Sequence, residues 1–244
     1  MRINKFENLD EFNHAAAELF VQAAREAINK NSRFTVALTG GSSPVQLYKI
    51  LAQQPYLNQV RWERVFVFWG DERWVPLDDS RSNAGMAFDT LLDHVPIPKE
   101  QIFPMWAEGK EPVQFASEYE NQLKLILGED GAFDLILLGM GQDGHTASLF
   151  PGTSVLKEKK YWVKAYYLEQ QQIYRITFTA PLINRAKEII FLIHGENKAA
   201  ALKEILEGER NPNQYPAQLI VPMKGRVSWF VDKQAASKLK NIVI

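Results

Sequence analysis

Short apolar runs that stop at glycine constrain this fold more than any other feature of the sequence. Strands that are apolar throughout are buried on both faces, as in parallel sheets covered by helices. We therefore predict an α/β fold with a mostly parallel sheet and helices on both of its faces. The runs and their turns are residues 34–38 before Gly40-Gly41, 65–69 before Gly70, and 133–138 before Gly139-Met140-Gly141.

Periodicity extends this prediction along the chain. Apolar residues recur at three- and four-residue steps over residues 9–30, which predicts a long first helix. No internal repeat or linker divides the chain, so we predict a single catalytic domain over residues 1–244. The other predicted elements are helices at 44–51, 181–186 and 197–206, strands at 173–179, 188–193 and 227–231, and a surface loop at 207–218.

Composition excludes several classes of protein. The chain of 244 residues has no cysteine, so a disulfide framework and a thiolate nucleophile are excluded. Lys and Arg total 28 against 29 Asp and Glu, a net charge of −1 that argues against a nucleic-acid partner. The first twelve residues are too charged for a signal peptide, and no apolar stretch approaches the ~20 residues of a membrane span. We expect a cytoplasmic protein with no membrane contact and no obligatory protein partner.

The segment Gly139-Met140-Gly141-Gln142-Asp143-Gly144 has the G-x-G-x-x-G spacing of dinucleotide-binding turns. In such sites the third glycine opens a full helix, and an acidic residue follows about 20 residues later. Here Pro151-Gly152 interrupts the chain within two turns. We therefore predict no nicotinamide cofactor.

A better candidate for an anion site is Gly41-Ser42-Ser43, which precedes a predicted helix. Glycine lets successive backbone N–H groups point one way, and the serines add hydroxyl donors. No Walker A lysine follows, so a sugar phosphate fits better than a nucleoside triphosphate. An equally good interpretation is a plain turn in which Ser43 caps the helix.

Charged residues follow two apolar runs at the edge where parallel sheets bind ligands. Asp71, Glu72 and Arg73 come after the run 65–69, although a solvated turn would explain them equally well. His145 follows the run 133–138, with Asp143 two residues before it. A histidine can take a proton from water near neutral pH, and a carboxylate can fix its tautomer.

A third cluster ends with Lys198 at the start of a predicted helix. A cation there opposes the helix dipole, which suggests a bound anion, while a plain exposed lysine is the alternative. The remaining histidines, His14, His94 and His194, are interpreted as structural or solvated.

Several blocks of sequence together resemble the glucosamine-6-phosphate isomerase/6-phosphogluconolactonase family, and its lactonases in particular. The resemblance implies a modified Rossmann-like fold that binds sugar phosphates without nicotinamide. In the related deaminases a glutamate precedes the proline, where this chain has Phe150, and an aromatic residue tends to stand at the place of Arg73. The blocks are residues 36–44, 69–76, 82–83, 138–152, 175–177, 184, 186 and 195–198.

This resemblance implies hydrolysis of a sugar-phosphate lactone. We expect no cofactor, and the sequence predicts no metal ligands. No G-x-S-x-G nucleophile is present, so direct attack by water is expected. His145 is the expected general base, Asp143 steadies its imidazolium, and Arg73 stabilises developing negative charge or the phosphate. The expected phosphate contacts are Gly41, Ser42, Ser43, Lys198 and Arg175, and the expected contacts to sugar hydroxyls are Asp71 and Glu72.

Two other functions are compatible with these residues. An isomerase or deaminase of amino-sugar phosphates is the nearest, although Phe150 cannot shuttle protons. A non-catalytic sugar-phosphate sensor is the other, although the chain has no basic helix-turn-helix.

Overall fold

The computed structural model describes residues 2–240. Its nine strands are β1 Arg2–Phe6, β2 Phe34–Leu38, β3 Val65–Trp69, β4 Asp71–Arg73, β5 Leu135–Leu138, β6 Val163–Leu168, β7 Ile173–Phe178, β8 Glu188–Ile193 and β9 Arg226–Asp232. Six of them form one sheet in the order β1-β9-β8-β5-β2-β3, and every neighbouring pair in it is parallel. The predicted α/β class and mostly parallel sheet are confirmed.

The centre of this sheet is buried on both faces. Every residue of β2, β5 and β8 is buried, including those whose side chains point to opposite faces. Apolar side chains such as Val36, Ile136 and Phe191 therefore leave water completely. This burial explains why the sequences of these strands are apolar throughout and do not alternate between apolar and polar residues.

The α-helices are α1 Leu9–Asn31, α2 Val45–Leu51, α3 Asn83–Thr90, α4 Pro112–Leu127, α5 Ala180–Ile183 and α6 Ala199–Glu207. The side chain of Asn8 caps α1 by accepting the Glu11 N–H at 2.9 Å, and α1 ends at Ser32 in the left-handed region. Its apolar stripe packs on β1, β2 and β9. No helix within residues 2–240 is both long and apolar enough to cross a membrane.

A second sheet was not predicted. It consists of β4, β7 and β6, paired antiparallel in that order, and only β7 was expected as a strand. Strand β4 follows β3 after the single residue Gly70, so the chain passes directly from one sheet to the other. The first strand β1 and the helices α3 and α4 were also missed. The polar sequence RINKF at an edge of the sheet explains why β1 gives no apolar signal.

Candidate active site

The residues predicted at strand ends meet in one cleft. Because the strands are parallel, the ends of β2, β3, β5 and β8 lie at the same edge of the sheet. The cleft has a volume of about 410 Å³. It is lined by every predicted site residue except Asp143 and Glu72, namely Gly41, Ser42, Ser43, Asp71, Arg73, His145, Arg175 and Lys198.

The loop after β5 holds a histidine against a carboxylate. The Nδ1 atom of His145 lies 2.5 Å from Oδ1 of Asp143, and the same oxygen accepts the backbone N–H of His145 at 3.2 Å. If Nδ1 carries the proton and donates it to Asp143, the other ring nitrogen, Nε2, keeps its lone pair. The dyad can therefore accept a proton through Nε2 of His145.

Two glycines allow this loop to form. A Cβ at Gly141 would lie 2.1 Å from Nδ1 of His145, so any side chain there would displace the imidazole. Gly144 has φ +78, and a Cβ on it would lie 2.8 Å from the ring of Tyr215. The G-x-G-x-x-G spacing is thus explained by the close approach of His145 and by a tight turn.

The pKa of Asp143 reflects its partner. Half-burial of the carboxyl raises the pKa, but the hydrogen bonds and positive charge of His145 outweigh it and hold the pKa below the ordinary value. Asp143 is therefore ionised at neutral pH. An ionised Asp143 favours a proton on Nδ1 of His145. It also stabilises the imidazolium that forms when Nε2 accepts a second proton.

Two arginines meet on the second sheet. In the antiparallel pairing of β4 with β7, Arg73 stands directly opposite Arg175, so both side chains point to the same face. Burial lowers the pKa of Arg175, the charge of Asp71 opposes this, and the charge of Arg73 lowers it further. The register therefore places two like charges side by side in the cleft.

The protein contacts both terminal nitrogens of the Arg175 guanidinium. Its guanidinium donates through Nη2 to Gln171 and through Nη1 to Oγ of Ser148 at 3.5 Å. Its Nε is buried and has no hydrogen-bond partner within residues 2–240, and the same holds for Nε of Arg73. A buried guanidinium N–H without an acceptor is costly. Nη1 of Arg73 donates to the Arg81 carbonyl at 2.6 Å, so the protein only partly satisfies both guanidinium groups, which line the cleft.

Asp71 has a more constrained position than its neighbours. Its carboxylate is 6% exposed, and Oδ2 accepts the Ser148 hydroxyl at 2.6 Å. The same oxygen lies 3.8 Å from Nη1 of Arg175. Asp71 still lines the cleft, where a substrate hydroxyl can reach it.

The predicted contact of Glu72 with a sugar hydroxyl needs correction. This side chain is fully buried, does not line the cleft and points into the start of α3. Its Oε1 accepts the N–H groups of Arg73 and Asn83, both at 2.8 Å, and its Oε2 accepts the Ala84 N–H at 2.7 Å. The Ser82 hydroxyl donates to Oε2 at 3.1 Å. With four donors of the chain bound, the carboxylate has no lone pair directed at a ligand.

Burial raises the pKa of Glu72 to about 7, although the backbone N–H groups of Asn83, Ala84 and Arg73 lower it. We now assign Glu72 a structural role. It ties the strand that carries Arg73 to the helix that begins at Asn83.

The glycine-serine turn and Lys198 lie in the same cleft. The N-cap of α2 is Pro44, and no side chain caps this helix, so the Ser43 hydroxyl is not used as a cap. Gly41 has φ +80, a conformation that favours glycine. Lys198 is the N-cap residue of α6, as the sequence predicted. Burial lowers its pKa, and the negative charge of Asp143 only partly offsets this.

Other lining residues were missed or given other roles. His194 was interpreted as structural or solvated, yet it lines the cleft and stands edge-on to Phe12 with ring centroids 6.1 Å apart. Its position at the end of the apolar strand β8 was the sequence signal that could have predicted its place in the cleft. Asn83 and Gln171 belong to α3 and to the connection between β6 and β7, which were not predicted. Phe150, which was predicted only as a difference from the related deaminases, also lines the cleft.

A larger groove of about 530 Å³ lies at the opposite edge of the sheet, where β8 and β9 begin, and holds none of the predicted site residues. Its buried carboxylates are satisfied by nearby cations, Asp134 by Lys187 at 2.6 Å and Glu188 by Arg226 at 2.7 Å. Among residues 2–240, no group of three or more His, Asp or Glu side chains is arranged to hold a metal ion. The cleft with His145 is therefore the candidate active site.

Comparison with known proteins identifies the family of this chain. Residues 7–229 match the family model of the glucosamine-6-phosphate isomerases/6-phosphogluconolactonase. The chain belongs to this family. The resemblance predicted from the sequence blocks is confirmed.

Individual members of the isomerase/lactonase family are similar over most of their length. The 6-phosphogluconolactonase of Synechocystis sp. is 44% identical over 219 residues, covering 88% of this chain and 88% of the relative. That of Haemophilus influenzae is 42% identical over 204 residues, covering 84% and 87%. The solved structure of 6-phosphogluconolactonase from Trypanosoma brucei superposes with a TM-score of 0.85 at 29% identity, covering 98% of each chain.

Proposed function

We propose that this chain hydrolyses 6-phospho-D-glucono-1,5-lactone to 6-phospho-D-gluconate, a step of the oxidative pentose phosphate pathway. The observation that carries the proposal is the His145–Asp143 dyad in a cleft that also holds two arginines and a lysine. The relatives named 6-phosphogluconolactonase support the choice of substrate. The three cations suit a substrate with a doubly charged phosphate.

The first step is attack of water on the lactone carbonyl, C1. Nε2 of His145 takes a proton from the water as its oxygen bonds to C1, and the imidazolium that forms is stabilised by Asp143. The carbonyl oxygen becomes an oxyanion of the tetrahedral intermediate, which nearby cations stabilise.

The second step reverses the movement of charge. The oxyanion re-forms a carbonyl as the bond from C1 to the ring oxygen breaks, and the imidazolium returns its proton to that oxygen. The new carboxylic acid loses its proton to water and becomes the carboxylate of the product. No covalent enzyme intermediate is required.

The phosphate is assigned to donors around the cleft. Arg175, with its unpartnered Nε, and Arg73 beside it can share one dianionic group. The Gly41-Ser42-Ser43 turn and Lys198 supply further donors. Asp71 is proposed to accept a hydrogen bond from a sugar hydroxyl, a role that Glu72 no longer shares.

The test of this function is a coupled assay. Glucose 6-phosphate is oxidised rapidly by its dehydrogenase, and the disappearance of the lactone is timed with and without this protein. We expect clear acceleration over the spontaneous reaction, and no ammonia from glucosamine 6-phosphate because Phe150 cannot shuttle protons. Lactone decay at the spontaneous rate would refute the proposal.

The lowered pKa of Lys198 predicts a pH dependence of product binding. Since the ammonium loses its proton at a pH below the ordinary lysine value, affinity for 6-phosphogluconate should fall as pH rises from 8 to 10. Loss of one charge-assisted contact costs about 1.5–3 kcal/mol, which is roughly ten- to a hundredfold in affinity. Isothermal titration calorimetry at constant ionic strength measures it.

The matched variants are Lys198→Arg and Lys30→Arg. A guanidinium stays charged over this range, so Lys198→Arg should remove most of the decline. Lys30 is exposed near the end of α1 and outside the cleft, so its replacement should leave the decline unchanged. An undiminished decline in Lys198→Arg would show that another group titrates.

We also propose that residues 1–244 act as one catalytic domain in the cytoplasm, without an obligatory protein partner and without nucleic acid. The family match over residues 7–229 supports one domain. The location and the partners stay predictions from composition.

A further inference from the structure

The ring of Phe150 touches both halves of the proposed site. Its centroid lies 4.0 Å from that of the His145 imidazole, with the planes 24° apart, so the two rings are stacked. The guanidinium carbon of Arg175 lies 5.5 Å from the same phenyl centroid. Phe150 is only 4% exposed, so its ring is packed in a fixed position between the proposed base and a proposed anion-binding residue.

The backbone around Phe150 is fixed independently of the dyad. Its carbonyl oxygen accepts the hydroxyl of Thr153 at 2.6 Å and the N–H of Thr153 at 3.3 Å. Earlier in the loop, Thr146 pairs with Leu149 and donates its hydroxyl to the carbonyl of Gly139 at 2.8 Å. The phenyl ring thus stands on a loop that has its own hydrogen bonds.

A single hydrogen bond does not determine the orientation of an imidazole. The contact from Nδ1 of His145 to Asp143 restrains the side-chain torsions χ1 and χ2, but a hydrogen bond can bend, so some rotation about χ2 remains and Nε2 moves with it. A flat ring stacked on one face removes that freedom. An aromatic face also attracts the cation that forms when Nε2 is protonated.

We propose that Phe150 is a positioning residue that orients the His145 imidazole and aligns it with the Arg175 guanidinium. This inference rests on the proposed lactonase function for its kinetic consequences. The stacking itself can be tested without activity, so failure of one need not mean failure of the other.

The kinetic test replaces the ring and then restores it. Phe150→Leu keeps an apolar side chain but removes the flat face, and we expect kcat/KM to fall about 10- to 100-fold because small misplacements of a catalytic group are costly. Phe150→Tyr keeps the stacked ring and should stay within about threefold of wild type. Phe150→Met serves as a second ringless variant if Phe150→Leu does not fold.

The control is Phe191→Leu. Phe191 is also fully buried and stacked, on Trp229 with centroids 3.9 Å apart, but it lies outside the cleft. It should lower the thermal midpoint while leaving kcat/KM unchanged. Equal loss of activity in the Phe191 and Phe150 variants would show that Phe150 acts only through the stability of the fold. That result would overturn the inference.

The second readout is ¹⁵N NMR of the imidazole nitrogens, assigned through a His145→Gln variant. In wild type we expect distinct resonances for a ring with Nδ1 protonated. In Phe150→Leu or Phe150→Met the two resonances should move towards each other, because a less fixed ring loosens the contact with Asp143 and lets both tautomers form. Unchanged resonances in the folded ringless variants would overturn the inference, whatever the activity of the wild-type protein proves to be.

Discussion

Replacing His145 by glutamine should lower kcat for the lactone by about 10²- to 10⁴-fold, the usual contribution of a general base. Glutamine has a similar size and its amide N–H can donate to Asp143, but the amide cannot take a proton from water. KM should change little, because the cations that bind the substrate remain. The rate is measured in the coupled lactone assay after subtraction of spontaneous hydrolysis.

Two histidines outside the cleft provide the control. His14 contacts the Tyr56 hydroxyl through Nδ1 at 3.0 Å, and His94 contacts the Asp89 carbonyl through Nε2 at 2.9 Å. His14→Gln and His94→Gln should retain wild-type kcat. A His145→Gln enzyme that turns over at the wild-type rate would exclude His145 as the base.

Replacing Glu72 by glutamine should cost about 2–4 kcal/mol of folding free energy at pH 5. The cost should be smaller at pH 8, because burial raises the pKa of the carboxyl to about 7 and its ionised form weakens the fold relative to a neutral side chain. Each carboxylate oxygen of Glu72 accepts at least one backbone N–H. Whichever oxygen becomes the amide nitrogen, its own N–H groups then face a backbone donor. For a chain of this length we expect the thermal midpoint to fall by about 4–16 °C.

Glu120→Gln is the matched comparison for this prediction. Glu120 is 6% exposed and its Oε2 accepts the N–H groups of Trp162 and Val163, but it lies outside the cleft. Both variants should lose stability, measured by thermal or denaturant unfolding. Only Glu72→Gln should also weaken binding of 6-phosphogluconate, since it ties Arg73 in place. A fully stable Glu72→Gln protein would contradict the capping role.

Local patterns predict the parallel half of this site well. Residues just after an apolar strand must emerge at the carboxyl edge of a parallel sheet, so Ser43, His145 and Lys198 could be placed together from the sequence. The turn that carries His145 could be recognised because closely spaced glycines indicate a tight turn of the backbone. The structure places these side chains around one cleft, while their chemical roles stay predictions.

The other half depends on pairing between distant segments. Strand β4 has only three residues, all charged, so it gives no alternating signal. Its pairing with β7, which brings Arg73 opposite Arg175, is a tertiary contact across about a hundred residues. The burial of Glu72 could not be predicted for the same reason. A carboxylate is expected to be exposed unless its partners are known, and here the partners belong to a helix that the sequence did not predict.

The antiparallel register that sets Arg73 against Arg175 has an energetic consequence for the whole chain. Like charges directly opposite on paired strands oppose folding. An anion that binds both arginines removes that repulsion, so affinity for the anion and stability of the fold are thermodynamically linked. If the proposed site binds a phosphate through both arginines, part of the binding free energy therefore comes from relief of the charge repulsion between these two strands.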